Sequence, residues 1–121
     1  MTKLRLAVEA AGLTKVFSGR GSRDVTALNA LDLSLREGEL TALVGPDGAG
    51  KTTLLRMICG LMMPTGGTLQ VVGLDVTKEP ERVQRELGYM PQRFGLYEDL
   101  TVQENMTLYA DLHGIPAVMR A

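Results

Sequence analysis

Hydrophobic residues in the first 44 positions follow two different patterns. Residues 4–17 and 28–37 are typical of β-strands, and in the second segment three leucines alternate with polar residues, which predicts one face in water. Residues 40–44, LTALV, show no alternation. A continuous apolar strand followed by glycine and then a helix is typical of a parallel sheet covered on both faces. We therefore expect residues 40–44 to form a central strand.

The middle of the chain alternates between helical and extended patterns. Apolar residues share one face of a predicted helix from Lys51 to about Cys59, and Gly60 is well placed to end it. A strand over 68–72, a short charged helix over 79–87 and a strand over 87–91 follow. Predicted helices and strands therefore alternate along this part of the chain.

The last predicted helix carries the clearest start signal. Thr101 and Glu104 have the spacing of a capping box, and the pattern ends at Gly114. The apolar residues that share one face of this helix are Val102, Met106, Tyr109 and Leu112.

Composition bounds the protein class. With 121 residues and 45% hydrophobic residues, the chain suits one domain with a core of its own. Its net charge of −1 gives no basic surface, which argues against nucleic acid as a partner. No secretion signal or membrane-spanning run is evident, and the lone Cys59 is read as a reduced thiol, which fits the cytosol.

The chemistry is concentrated between the strand expected at 40–44 and the helix that follows. Residues 45–52, GPDGAGKT, satisfy the phosphate-loop pattern G-x-x-x-x-G-K-[ST] in the strand-then-helix context that this pattern requires. The glycines let backbone N–H groups curl round a phosphate, and the helix N-terminus favours an anion. Lys51 adds a charge for the β- and γ-phosphates, the Thr52 hydroxyl can bind Mg²⁺, and Thr53 can donate to another phosphate oxygen. The alternative is a flexible glycine turn that matches by chance.

Three stretches together resemble one family, the ATP-binding subunits of ABC transporters. They are GPDGAGKTT at 45–53, LLRMICGLMMPTGGTLQVVG at 54–73 and LGYMPQRFGLYEDLTVQENM at 87–106. The last stretch looks most like the branch that drives bacterial drug exporters. The resemblance implies a P-loop NTPase fold of the α/β class with N-terminal antiparallel strands, and ATP with Mg²⁺ as cofactors.

The resemblance assigns roles residue by residue. Gln92 matches the glutamine that touches Mg²⁺ or the attacking water, and Phe17 resembles the aromatic residue that stacks on adenine. The loop FGLYEDL, 94–100, matches the surface pressed against the membrane-spanning subunit. Ordinary alternatives are a solvated glutamine, strand packing of the ring and a solvated acidic loop. The residues that match the nucleotide loop are Gly45, Gly48, Ala49, Gly50, Lys51, Thr52 and Thr53.

Other features of the family are not found in these 121 residues. The signature loop, the acidic pair and the switch histidine are absent, so residues 1–121 resemble the N-terminal part of one ABC domain without its helical subdomain and later strands. We expect the chain to bind MgATP at most and not to hydrolyse it. The complete protein would pair with a second ATP-binding subunit at the inner face of the membrane and couple hydrolysis to drug export. The alternative is a truncated, non-hydrolysing nucleotide-binding module, with a nucleotide kinase a distant third.

Overall fold

The computed structural model describes residues 5–19, 23–91 and 96–120. The chain divides into two compact units, Met1–Leu87 and Gly88–Ala121, and each is described by itself. The expectation of a single domain over residues 1–121 stays a prediction.

The first unit is built on a four-stranded antiparallel sheet. Its long strands are β1, Leu6–Phe17, and β2, Val25–Arg36, and its shorter strands are β3, Gly66–Val71, and β4, Leu74–Asp75. The order in the sheet is β2-β1-β3-β4. Both long strands confirm the extended segments predicted from the sequence, and β3 confirms the strand predicted near residues 68–72.

Side-chain hydrogen bonds compensate for irregular pairing of β1 with β2. The register shifts between Ala10 and Leu13. At this point the Gly12 N–H donates to Asp32 Oδ1 at 2.7 Å, and the Ala30 N–H donates to Thr14 Oγ1 at 3.0 Å. Two backbone amides that leave the ladder thus keep side-chain acceptors.

Two helices complete the first unit. Helix α1, Lys51–Ile58, and helix α2, Pro80–Glu86, lie where the sequence predicted them, and Gly60 follows α1 with a φ of +73°. Desolvation by burial raises the pKa of the free Cys59 thiol just after α1. The fully buried side chains of the core come from β1, α1, β3, the segment after β4, and α2: Leu13, Met57, Leu69, Val71, Val76 and Val83.

The second unit contains helix α3, Val102–Leu112, and a 3-10 turn at Ala117–Met119. The predicted capping box is confirmed. The Glu104 N–H donates to Thr101 Oγ1 at 3.1 Å, and the Thr101 N–H donates to Glu104 Oε1 at 3.0 Å. Among the described residues, no helix has the length and apolar character needed to cross a membrane.

The prediction of a central strand at 40–44 is wrong. The segment has no regular secondary structure, and Val44 is 90% exposed. Within the described ranges no strand pairs with it, and an apolar run does not form a stable strand without a neighbour to satisfy its N–H and C=O groups. The strand predicted at 87–91 is likewise absent and lacks a partner in the part of the chain that the structure describes.

Candidate functional site

The phosphate-loop sequence forms a turn directly before α1. Gly48 has a φ of +82° and Gly50, at the N-cap of α1, has a φ of +92°. Both values lie in the left-handed region, which residues with a Cβ atom rarely adopt. The glycines at these two positions thus permit the chain reversal that leads into the helix.

Strand β2 fixes the position of this loop. A Cβ atom on Gly50 would lie 2.5 Å from the carbonyl oxygen of Ala27 and 3.0 Å from the Leu28 side chain. Only a residue without a side chain lets the loop approach β2 this closely. The loop is therefore held against the sheet of the same unit.

Most backbone donors around the helix start have no partner among the residues that the structure describes. The Ala49 N–H donates to the Pro46 carbonyl at 3.2 Å, close to the upper limit for such a bond. Within the described ranges no carbonyl or side chain accepts a hydrogen bond from the N–H groups of Gly48, Gly50, Lys51, Thr52 and Thr53. This cluster of free donors at a helix N-terminus suits an anion.

The Lys51 side chain folds back over the loop. Its ammonium group donates to the Gly45 carbonyl and to the Pro46 carbonyl, the latter at 2.8 Å. An ammonium has three donors, so one remains for a further acceptor. The loop thus holds the Lys51 ammonium against two of its own carbonyls.

Two hydroxyl groups follow Lys51 at the start of α1. Thr52 is exposed and Thr53 is half-buried, and neither hydroxyl makes a hydrogen bond within the described part of the chain. A neutral hydroxyl oxygen is an oxygen ligand of the kind that Mg²⁺ accepts when phosphate and water complete its shell. The donor set of the loop, with its amides, one ammonium and hydroxyls, fits a magnesium polyphosphate.

Phe17 lies at the same end of the sheet as the loop. It pairs with Val25 on β2, two residues before the Ala27 carbonyl that Gly50 approaches. Two strand residues span about 7 Å. Phe17 is 39% exposed as a residue, and the Lys15 ammonium lies 5.3 Å from the centroid of its ring. The structure thus brings Phe17 and the loop to one region of the first unit.

Gln92 lies outside the described residues, as do Phe94 and Gly95 of the loop FGLYEDL. The described part of that loop, 96–100, belongs to the second unit.

Asn105 is a residue that the sequence reasoning missed. It is 5% exposed, and its amide group accepts from the Tyr97 N–H at 2.9 Å. The same amide donates to the carbonyls of Tyr97, Leu100 and Thr101 at 3.1, 3.3 and 2.9 Å. Asn105 therefore ties the described part of the loop to α3. A polar residue three positions after Val102, on the otherwise apolar face, is the signal that could have found it.

Known proteins similar to this chain belong to one family. Residues 28–120 match the ABC transporter family. The chain is 51% identical over 109 residues to the probable multidrug ABC transporter ATP-binding protein YbhF of Escherichia coli, covering 90% of this chain and 18% of YbhF. It is 40% identical over 108 residues to the daunorubicin/doxorubicin resistance ATP-binding protein DrrA of Streptomyces peucetius, covering 89% of this chain and 31% of DrrA. The chain thus spans less than a third of the length of either relative.

Solved structures agree with the sequence relatives. The dimeric post-hydrolysis state of the ATP-binding cassette MJ0796, bound to ADP and Pi, superposes with a TM-score of 0.81 at 30% identity, covering 91% of this chain and 49% of MJ0796. A second structure, an ATP-binding subunit of an ABC transporter, gives a TM-score of 0.78 at 30% identity, covering 93% of this chain and 45% of that one. The chain belongs to the ABC transporter family, and its fold is that of the P-loop ATP-binding cassettes.

Proposed function

We propose that this chain carries the ATP-binding loop of a transporter subunit that drives drug export across a membrane. The observation that carries the proposal is the turn before α1, where N–H groups that have no partner among the described residues share one loop with the Lys51 ammonium. Backbone N–H groups at a helix start and an ammonium group attract the negatively charged oxygens of a polyphosphate. Residues 1–121 would then form the N-terminal part of one ATP-binding domain.

Each residue of the loop has a separate task in this proposal. The N–H groups of Gly48, Gly50 and Lys51 bind phosphate oxygens, and Ala49 contributes its own N–H once the long bond to Pro46 is exchanged. Gly45 supplies the carbonyl that orients the Lys51 ammonium.

Four further residues would hold the metal, a phosphate oxygen and the base. The Thr52 hydroxyl binds Mg²⁺, Thr53 donates to a phosphate oxygen, and Phe17 stacks on adenine. We also propose Gln92 as a metal-binding and catalytic residue, although it lies outside the described residues. MgATP, when bound, supplies the phosphoanhydride bond whose hydrolysis drives transport.

Binding without turnover is the expectation for the 121 residues alone. The described residues supply donors for a polyphosphate, while the carboxylates that orient a water in this family are not among the matched motifs. We expect calorimetry to detect MgATP and a phosphate-release assay to detect no hydrolysis above the buffer rate.

The proposal of drug export rests on the relatives. YbhF is named a probable multidrug ABC transporter ATP-binding protein, and DrrA is named a daunorubicin/doxorubicin resistance protein. A further relative, human ABCA3, is named a phospholipid-transporting ATPase and is 41% identical over 103 residues. The cargo itself would be selected by the membrane-spanning subunit.

We further propose that the second unit contacts the membrane-spanning subunit at the inner face of the membrane. The side chains of Val102, Met106 and Leu112 on α3 are exposed although all three are apolar. Exposed apolar faces of this kind are common at protein interfaces. A second ATP-binding subunit would complete the nucleotide site, since the similar cassette MJ0796 is a dimer.

Calorimetric titration of MgATP into wild type, Lys51→Ala and Lys78→Ala tests the nucleotide site. Lys78 is an exposed lysine in the turn after β4, so its removal matches the charge change without touching the loop. We expect Lys51→Ala to abolish measurable binding and Lys78→Ala to leave it unchanged. Equal affinities for all three proteins would refute the proposed site.

A further inference from the structure

Lys15 lies beside the nucleotide site without belonging to the phosphate loop. Its ammonium donates to the Met63 carbonyl at 2.8 Å and lies 5.3 Å from the centroid of the Phe17 ring. The ammonium of Lys15 thus makes one hydrogen bond to a backbone oxygen and one cation–π contact with an aromatic ring. The ammonium is thus directed to the ring and not to the phosphate amides.

The Met63 carbonyl is a fixed anchor for this ammonium. The segment that carries it is attached to β1 by bonds that do not involve Lys15. The Thr65 N–H donates to the Thr14 carbonyl at 2.8 Å, and the Val16 N–H donates to Thr65 Oγ1 at 3.0 Å. The segment after α1 therefore stays on β1 whether or not Lys15 is present.

A cation above one face of a ring has two effects on that ring. It attracts the π-electrons, and it restricts the torsions of the aromatic side chain. Because Lys15 lies over one face of the Phe17 ring, a planar ligand would have to stack on the opposite face, and Phe17 as a whole residue is 39% exposed. A ring that is already oriented loses less conformational entropy when a base stacks on it.

We propose that Lys15 is a positioning residue for base recognition: its ammonium, anchored on the Met63 carbonyl, holds the Phe17 ring so that the opposite face receives adenine. This inference rests on the proposed function, since it adds a residue to the same nucleotide site. It predicts that Lys15 contributes to the affinity for the base and does not change the affinity for the phosphates.

The test compares two magnesium complexes by calorimetry, MgATP and inorganic tripolyphosphate with Mg²⁺. Lys15→Met keeps the aliphatic stem and removes the charge. We expect it to weaken MgATP binding by a factor of about 2 to 5, the size of an exposed cation–π contact, and to leave tripolyphosphate binding unchanged. Lys15→Arg restores MgATP affinity, since a guanidinium also donates and stacks on aromatic rings. Lys78→Met is the matched control and should change neither affinity.

A double-mutant cycle separates positioning from a general effect. In a Phe17→Leu background, Lys15→Met should have no further effect on MgATP affinity. Three results would each overturn the role of Lys15: an equal loss of affinity for both ligands, a loss of MgATP affinity that persists without Phe17, or an unchanged MgATP affinity in Lys15→Met.

The affinities of wild type separate the two proposals. If wild type binds tripolyphosphate and MgATP equally well, the proposed stacking of the base is wrong while the phosphate site stands. If it binds neither, the proposed function fails too. Should circular dichroism show that Lys15→Met is unfolded, Lys15→Gln replaces it in the same comparison.

Discussion

The α-carbon of Gly50 faces the carbonyl oxygen of Ala27 so closely that an added Cβ atom would lie 2.5 Å from it. This approach connects the start of α1 to strand β2, and it occurs at a residue whose φ is +92°. The geometry of the phosphate loop therefore depends on the sheet beside it as well as on the glycines within it.

Substitution of the two left-handed glycines should separate these influences. Gly48→Ala places a Cβ in open space and costs only the left-handed strain, about 1–2 kcal/mol. Gly50→Ala adds the clash with Ala27 and should cost a further ~1–3 kcal/mol. Urea unfolding followed by circular dichroism measures both. Equal destabilisation by the two variants would show that β2 does not restrict the loop.

Asn105→Leu should release the loop that precedes α3. The substitution removes all four hydrogen bonds of the Asn105 side chain and leaves the Tyr97 N–H without its acceptor. Loss of a hydrogen bond at a partly exposed amide costs about 0.5–1.5 kcal/mol, so amide exchange at Tyr97 should accelerate by about two- to ten-fold. Hydrogen exchange followed by NMR gives the rate. Gln103→Leu, an amide-to-leucine change at an exposed position of the same helix, serves as the control and should leave Tyr97 unaffected.

The capping box should make α3 sensitive to acid. Hydrogen bonds from the backbone N–H and the hydroxyl of Thr101 lower the pKa of the Glu104 carboxyl below its usual value. Because the pKa is lower in the folded state, the stabilisation is complete above the unfolded-state pKa of about 4.3 and is lost as the pH falls through the folded value. The helicity of wild type should fall between about pH 6 and about pH 2, a range that spans the unfolded-state pKa of Glu. The fall should be smaller in Glu104→Gln, which keeps an acceptor that does not titrate. Identical acid transitions would contradict a contribution from Glu104.

The exposed apolar segment 40–44 should promote self-association of this chain. Val44 and Val118 are 90% and 91% exposed, but only Val44 lies in a run with strand propensity and no strand partner in the described ranges. Val44→Lys should therefore suppress association measured by light scattering at high protein concentration. Val118→Lys, in the 3-10 turn, should suppress it much less. The prediction fails if both lysines act equally.

Local signals explain most of what could be predicted from the sequence. The end of α1 near Gly60 and the Thr101–Glu104 capping box depend on residues within one or two turns of each other, and both are confirmed. The phosphate-loop pattern was recognisable for the same reason, since its glycines, lysine and hydroxyls are consecutive.

Long-range contacts explain the errors and omissions. The strand predicted at 40–44 failed because strand formation needs a neighbour, and hydrophobicity along the chain does not reveal whether one is present. Asn105 was missed because its importance comes from carbonyls of a loop that reverses onto the helix. Lys15 was missed because its partners are the Met63 carbonyl, 48 residues away, and a ring whose orientation only the folded strand defines.

The sequence by itself determined the chemistry of this protein: a run of glycines, one lysine and two threonines before a helix, whose donors suit a polyphosphate wherever the chain folds that way. The tertiary structure decided which loop donors have no partner among the described residues, how β2 supports the loop, and that Lys15 lies over one face of Phe17. The physical reason is that backbone conformation and helix capping depend on neighbours in sequence, whereas strand pairing and side-chain anchoring depend on residues brought together only by folding.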